Sequence, residues 1–435
     1  MLRRELLAAS AAITAASVLG RAPAASAQPT GSRVSRTTTR IRGFPGDELD
    51  FQLMRSLGAA SYGGGAAGEV FAARAAIPDD DPYAWPGAFG ALGTRVVKLG
   101  EAALSAKRVV SARDHLLRAS MYYRAAEYFS DPFGRESREW GLASRSAFVA
   151  AAKLMTDRVE PVTVSFEGVP LPGYFMSPLG GARGGRTIVV LTGFDGTGEE
   201  LYFEAAVAGL ARGYNVFACE GPGQAGLMRF HPEVKFRPDY EKPIAAMLDA
   251  ALVRRDVSAD KLALYGISFG GYFVTRAGEH DRRIKALIVN SPIIDLFSFI
   301  AGFVGPELAN NPPPVTLADV DSVPDAQMPR TMKLAFKSAC RRFGVDSFAG
   351  WMQRLKDFNA EAALGQIQCP SLPMVGVGEG GEAIAQFERY AAKVSGPVTK
   401  RLFTTEEGAD MHCQLGNLPL SCAVVYDWLD ELFGV

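Results

Sequence analysis

Leu262-Ala263-Leu264-Tyr265-Gly266-Ile267-Ser268-Phe269-Gly270-Gly271 is a short apolar run that meets a serine between glycines. It reads as a strand, a tight turn and the start of a helix, with Gly-x-Ser-x-Gly at the turn. A serine hydroxyl is a poor nucleophile until it stands clear of the backbone beside a base. A sharp strand-to-helix turn achieves that, and the flanking glycines leave the room it needs. The same turn puts the N–H of Phe269 at a helix start, where it can face a developing oxyanion.

Outward from this turn, apolar runs alternate with helical stretches from residue 159 onward. The runs are Thr187 to Leu191, Asn215 to Cys219, Leu262 to Tyr265, Ala286 to Asn290, Leu372 to Val377 and Arg401 to Thr404. Buried runs separated by helices predict a mostly parallel sheet with helices on both faces. Pro161–Phe166 and Leu171–Met176 flank Glu167-Gly168 and predict a hairpin ahead of it. Between Pro292 and Ile367 lies a helical insertion of about residues 293–367, broken at Asn310-Asn311-Pro312-Pro313-Pro314, where a lid would sit.

Residues 44–158 have a different grammar. Phe51, Met54, Leu57, Val96, Val97, Leu99, Ala103 and Leu104 recur near a 3.6-residue period, which predicts an all-helical N-terminal domain. Tyr122, Tyr123 and Tyr128 sit at helical spacing as core packing or as the wall of a pocket between domains. Residues 28–43 read as a linker. Met1-Leu2-Arg3-Arg4, an Ala-rich run to Leu19 and Ala25-Ser26-Ala27 have the order of a twin-arginine-like signal peptide over residues 1–27. Export to the periplasm or the medium is the expectation, with a cytoplasmic enzyme as the alternative. The leader is short for a membrane span, so no stable span is expected.

The chain has 435 residues, 46 basic and 47 acidic, which points to no nucleic-acid partner. Five cysteines show no zinc spacing and no disulfide framework; Cys413 and Cys422 could pair, but the expectation is two buried free thiols. Glu220-Gly221-Pro222-Gly223-Gln224 lacks the ending of a phosphate loop, and no metal motif occurs, so no cofactor is expected. The expected partner is a small aromatic or apolar carbonyl compound, and a homodimer is compatible with the sequence.

Only four histidines occur. His412 follows the last apolar strand, the position a base takes when chain order runs serine, acid, histidine. His115, His231 and His280 lie in helical or surface contexts. The acid belongs just beyond the strand before His412, where Gly378-Glu379-Gly380 stands. Glu379 is the first choice, Glu382 and Asp295 the alternatives. A second oxyanion donor belongs after Thr187–Leu191, where Thr192-Gly193-Phe194-Asp195-Gly196 offers the N–H of Phe194. Asp195 either exchanges a proton with a substrate or caps the next helix.

Together these residues resemble the α/β-hydrolase fold. More narrowly, the chain is similar to the 2,6-dihydroxypseudooxynicotine hydrolase group and the fungal pigment hydrolases that shorten polyketides. The resemblance rests on Tyr122–Phe129, Gly193-Phe194-Asp195-Gly196, Glu220-Gly221-Pro222-Gly223-Gln224, Arg237-Pro238-Asp239-Tyr240-Glu241, Gly266–Gly271, Cys369-Pro370 and Asp410-Met411-His412-Cys413. It implies a Ser268–Glu379–His412 triad capped by the helical domain. It also implies cleavage of a C–C bond next to a ketone in some members and ester or acyl hydrolysis in others. In the nicotine-pathway group a glutamate stands where this chain has Asp195 and is implicated in the C–C chemistry. The usual acid is aspartate, and the usual Asp-Gly-Pro-Gly here begins with Glu220. A plain carboxylesterase and a catalytically silent binding protein are the competing expectations.

Overall fold

The computed structural model describes residues 42–434. The leader read at residues 1–27 and nearly all of the linker lie outside these residues.

Eight strands form one sheet in the order β1-β2-β4-β3-β5-β6-β7-β8. They are β1 (Arg158–Phe166), β2 (Val169–Ser177), β3 (Thr187–Leu191), β4 (Asn215–Cys219), β5 (Leu262–Ile267), β6 (Ala286–Asn290), β7 (Ser371–Gly376) and β8 (Arg401–Phe403). β1 and β2 form the hairpin, closed by Glu167 and Gly168, both at positive φ as a tight two-residue turn requires. β2 runs antiparallel to β4, and every later pair is parallel.

The four central strands are buried along their whole length. Alternate side chains enter two different cores, as the two-residue period of a strand requires. Val189, Leu191, Phe217, Leu264 and Val289 pack on one face with the helices Glu241–Leu252 and Gly270–His280. Ile188, Val190, Val216, Ala263 and Ile288 pack on the other with the C-terminal helix Leu418–Phe433.

Among the described residues five α-helices precede the sheet: Asp47–Gly58, Ala67–Arg74, Ala84–Ser105, Val109–Phe129 and Arg135–Ala152. Their core includes Leu53, Trp85, Phe89, Val96, Tyr122 and Phe129. The apolar stripe is narrower than its periodicity suggested, since Leu99 and Leu104 are exposed. Tyr122 and Tyr123 are buried, with their hydroxyls donating to Glu69 and Thr94. Tyr128 is only partly buried, and its hydroxyl donates to Glu48 at 2.6 Å.

The segment between β6 and β7 forms the helices Leu296–Val304, Pro306–Asn310, Arg330–Phe343 and Phe348–Leu355. The proline run starts where Pro306–Asn310 stops, because a proline disfavours helix in the residue before it. All five cysteines are free. Among the described residues no helix is long and apolar enough to cross a membrane.

Candidate active site

Ser268 sits between β5 and the helix Gly270–His280 with φ of 60°, a left-handed backbone that non-glycine residues rarely adopt. The turn holds because the chain closes tightly on both sides. A Cβ on Gly266 would overlap the Gly270 carbonyl, and one on Gly270 would lie 2.8 Å from the Leu191 carbonyl oxygen. The Ser268 N–H donates to the Asn290 carbonyl at the end of β6.

His412 comes from the loop after β8 and is nearly buried. Its Nε2 is 2.8 Å from Ser268 Oγ, and its Nδ1 is 2.5 Å from Glu379 Oε2. Glu379 is fully buried just beyond β7. Its Oε1 accepts the Gly376 N–H at 2.9 Å, and its Oε2 also accepts the Ser291 hydroxyl at 2.5 Å. Three donors thus define the direction of one carboxylate, which in turn orients one imidazole.

The other candidate acids are occupied elsewhere. Glu382 accepts from Gln386 and Arg389. Asp295 caps the helix Leu296–Val304 and accepts the N–H and hydroxyl of Ser298. His115 contacts Arg118, while His231 and His280 contact Glu233 and the Arg276 carbonyl.

The loop after β3 lies directly on the serine turn. A Cβ on Gly193 would lie 2.6 Å from the Phe269 nitrogen and 2.7 Å from Ser268 Cβ. Only glycine lets the loop approach this closely. Gln224 anchors the loop by donating to the Thr192 carbonyl at 2.6 Å. The N–H groups of Phe194 and Phe269 hydrogen-bond to no described residue.

Asp195 does not cap the next helix. That helix begins at Gly198, so the capping position is Thr197, whose hydroxyl accepts the Glu200 N–H at 3.3 Å. Asp195 instead faces Arg55, from the first helix, at 3.3 Å. Arg55 also grips Glu200 through Nε at 2.6 Å and Nη2 at 2.5 Å. Arg124 adds a contact to Glu200 at 3.2 Å and donates to the Asp195 carbonyl at 3.3 Å. Burial works against the Arg55 charge, but Glu200 and then Asp195 outweigh it and hold its pKa well above the ordinary value. Burial and then Arg55 push Arg124 down. Nearby Glu204, in a π-helical turn Tyr202–Ala206, is pushed up to about 8 by burial and then by Glu200.

Phe51 lies one turn before Arg55 on the same helix face, with its ring 6.5 Å from the His412 ring. The helical domain therefore reaches the His412 ring and also contributes charge to the adjacent loop. Arg55, Arg124 and Ser291 were not singled out in the sequence. Isolated arginines on helices carry no motif, and Ser291 follows β6 without one. Among the described residues no three His, Cys, Asp or Glu side chains are disposed to hold a metal ion.

No family model matches the chain. The hydrolase LUC6 of Fusarium sp is 31% identical over 413 residues, spanning 90% of this chain and 98% of the relative. The alpha/beta hydrolase xenA of Xenoacremonium sinensis is 30% identical over 424 residues, again spanning 90% and 98%. Among solved structures, the 2,6-dihydroxy-pseudo-oxynicotine hydrolase superposes with a TM-score of 0.65 at 18% identity, over 87% of this chain and 96% of its own. Similarity along nearly the whole length, on this fold, establishes that the chain belongs to the α/β-hydrolases and is a hydrolase.

Proposed function

We propose that the protein is a serine hydrolase that cleaves a bond next to a carbonyl. The observation that carries this reading is the continuous line from Glu379 through His412 to Ser268, with separations of 2.5 and 2.8 Å. His412 takes the Ser268 proton as Oγ attacks the carbonyl carbon. Glu379 keeps the imidazole in the tautomer that accepts at Nε2 and stabilises the imidazolium. The N–H groups of Phe194 and Phe269 receive the oxyanion. On collapse the bond to the leaving group breaks, its electron pair goes to the leaving atom, and the imidazolium supplies the proton. Water, deprotonated by His412, then releases the acyl group from Ser268.

The leaving atom is the oxygen of an ester or the carbon of a ketone or β-diketone. Asp195, held by Arg55 beside the oxyanion loop, favours the carbon case. An ionised carboxylate there can take the enol O–H proton of a β-diketone and return it to carbon, which presents the ketone that Ser268 attacks. Asp195→Asn is expected to depress β-diketone cleavage far more than aryl-ester hydrolysis. Equal loss on both would favour a plain carboxylesterase. The first test is intact mass after exposure to a fluorophosphonate. The expected result is one adduct on the wild type and none on Ser268→Ala. A wild type that stays unlabelled while folded would favour a silent binding protein.

A further inference from the structure

Arg342 lies on the insertion helix Arg330–Phe343 and is 6% exposed. Its Nη1 donates to the Gly223 carbonyl at 2.6 Å and its Nε to the Ser338 hydroxyl at 3.1 Å. Among the described residues Nη2 meets no hydrogen-bond partner and no carboxylate lies within ion-pair distance of this guanidinium. The surrounding arginines are matched. Arg55 and Arg124 hold Glu200, and Arg229 is bidentate to Glu127 and also meets Glu199. Arg342 alone in this cluster has no carboxylate in direct ion-pair contact among the described residues, which leaves its guanidinium open to an anion from outside the chain.

Its position says where that anion belongs. The guanidinium carbon stands 5.0 Å from the ring centre of Phe194, the neighbour of Gly193 in the loop against the serine turn, and 4.8 Å from that of Phe133 in the helical domain. The negative charge it feels most is Asp195, in the same loop as Phe194. Insertion, helical domain and oxyanion loop therefore meet at one guanidinium with a free N–H edge.

We infer that Arg342 is a specificity-determining residue that binds an anionic oxygen on the substrate, a carboxylate or an ionised phenol or enol. This rests on the reading of Ser268 as the reacting group. Guanidinium suits the task because its planar fork can bind a carboxylate with two N–H groups while stacking on an aromatic face.

The test is calorimetry on the full-length protein with matched probes: benzoate against benzamide, and 4-nitrophenolate against nitrobenzene. Wild type is expected to bind the anion of at least one pair about tenfold or more tightly than its neutral partner. Arg342→Met is expected to bring that ratio to about one. Arg342→Lys, which keeps the charge and the fold but loses the fork, is expected to lower it about threefold or more. No preference in the wild type, or an undiminished preference in either variant, overturns the inference. The preferred anion must also slow fluorophosphonate labelling of Ser268; binding that leaves the labelling rate unchanged puts the anion elsewhere and overturns it too. Arg342-dependent anion binding by a protein whose Ser268 never reacts would sink the serine-hydrolase reading while leaving the anion site in place.

Discussion

Replacing Arg55 by methionine tests how the helical domain is tied to the catalytic sheet. In the folded protein Arg55 and Arg124 balance Glu200 and Asp195, two cations against two anions. Both arginines and Glu200 are almost wholly buried, and Asp195 is mostly so. Arg55→Met removes three charge-assisted hydrogen bonds, of 2.6, 2.5 and 3.3 Å. It also leaves one uncompensated negative charge in a site water reaches poorly. Removing one partner of a buried pair costs about 3–5 kcal/mol, mostly from the stranded charge. The partly exposed Asp195 relaxes some of this, so we expect about 3 kcal/mol. The double variant Arg55→Met, Glu200→Met restores the balance, with Arg124 facing Asp195, and recovers most of the loss. Equilibrium urea unfolding of all three proteins, followed by tryptophan fluorescence and by circular dichroism, measures this. A single variant within 1 kcal/mol of wild type, or a double variant no better than the single, would falsify the argument from charge balance.

Two further outcomes are expected. Ser291→Ala removes one of three hydrogen bonds to Glu379, and loss of a bond to a charged acceptor corresponds to about tenfold in rate. An unchanged fluorophosphonate labelling rate would show that Gly376 and His412 suffice to hold the carboxylate. Glu204 titrates at about 8 when folded, up from its ordinary 4.5. The folded state keeps a proton that the unfolded chain releases, so stability falls as pH rises across that window and levels off above it. Glu204→Gln cannot ionise and should remove up to roughly 1 kcal/mol of that loss per pH unit; urea midpoints from about pH 5 to about pH 8 that run parallel for both proteins would contradict it.

Much of this architecture was legible along the chain because its signals are local. The apolar runs that became β3 to β6 are contiguous, and both faces of such strands are buried, so no fine register had to be guessed. Ser268 and His412 are marked by a short motif and by chain order. Glu379 was one of three carboxylates in reach. The strand ends decide among them: β7 stops at Gly376, which puts Glu379 against His412, while Glu382 and Asp295 point to partners of their own. A similar question of where an element begins governed Asp195, where a helix start at Gly198 hands the cap to Thr197.

The charges around the loop after β3 are a different kind of fact. In sequence an arginine on an amphipathic helix looks solvated, because burial of a charge is the exception. Arg55, Arg124 and Arg342 come from two helices of the N-terminal domain and one of the insertion, separated by up to about 290 residues of chain. Nothing local relates them. Packing the helical domain and the insertion around the loop after β3 brings them within reach of Phe194 and Asp195. The primary structure specifies Ser268, His412 and the sheet that presents them. Which charges gather beside Ser268 arises only from three-dimensional packing, since electrostatic partners are chosen by distance in space.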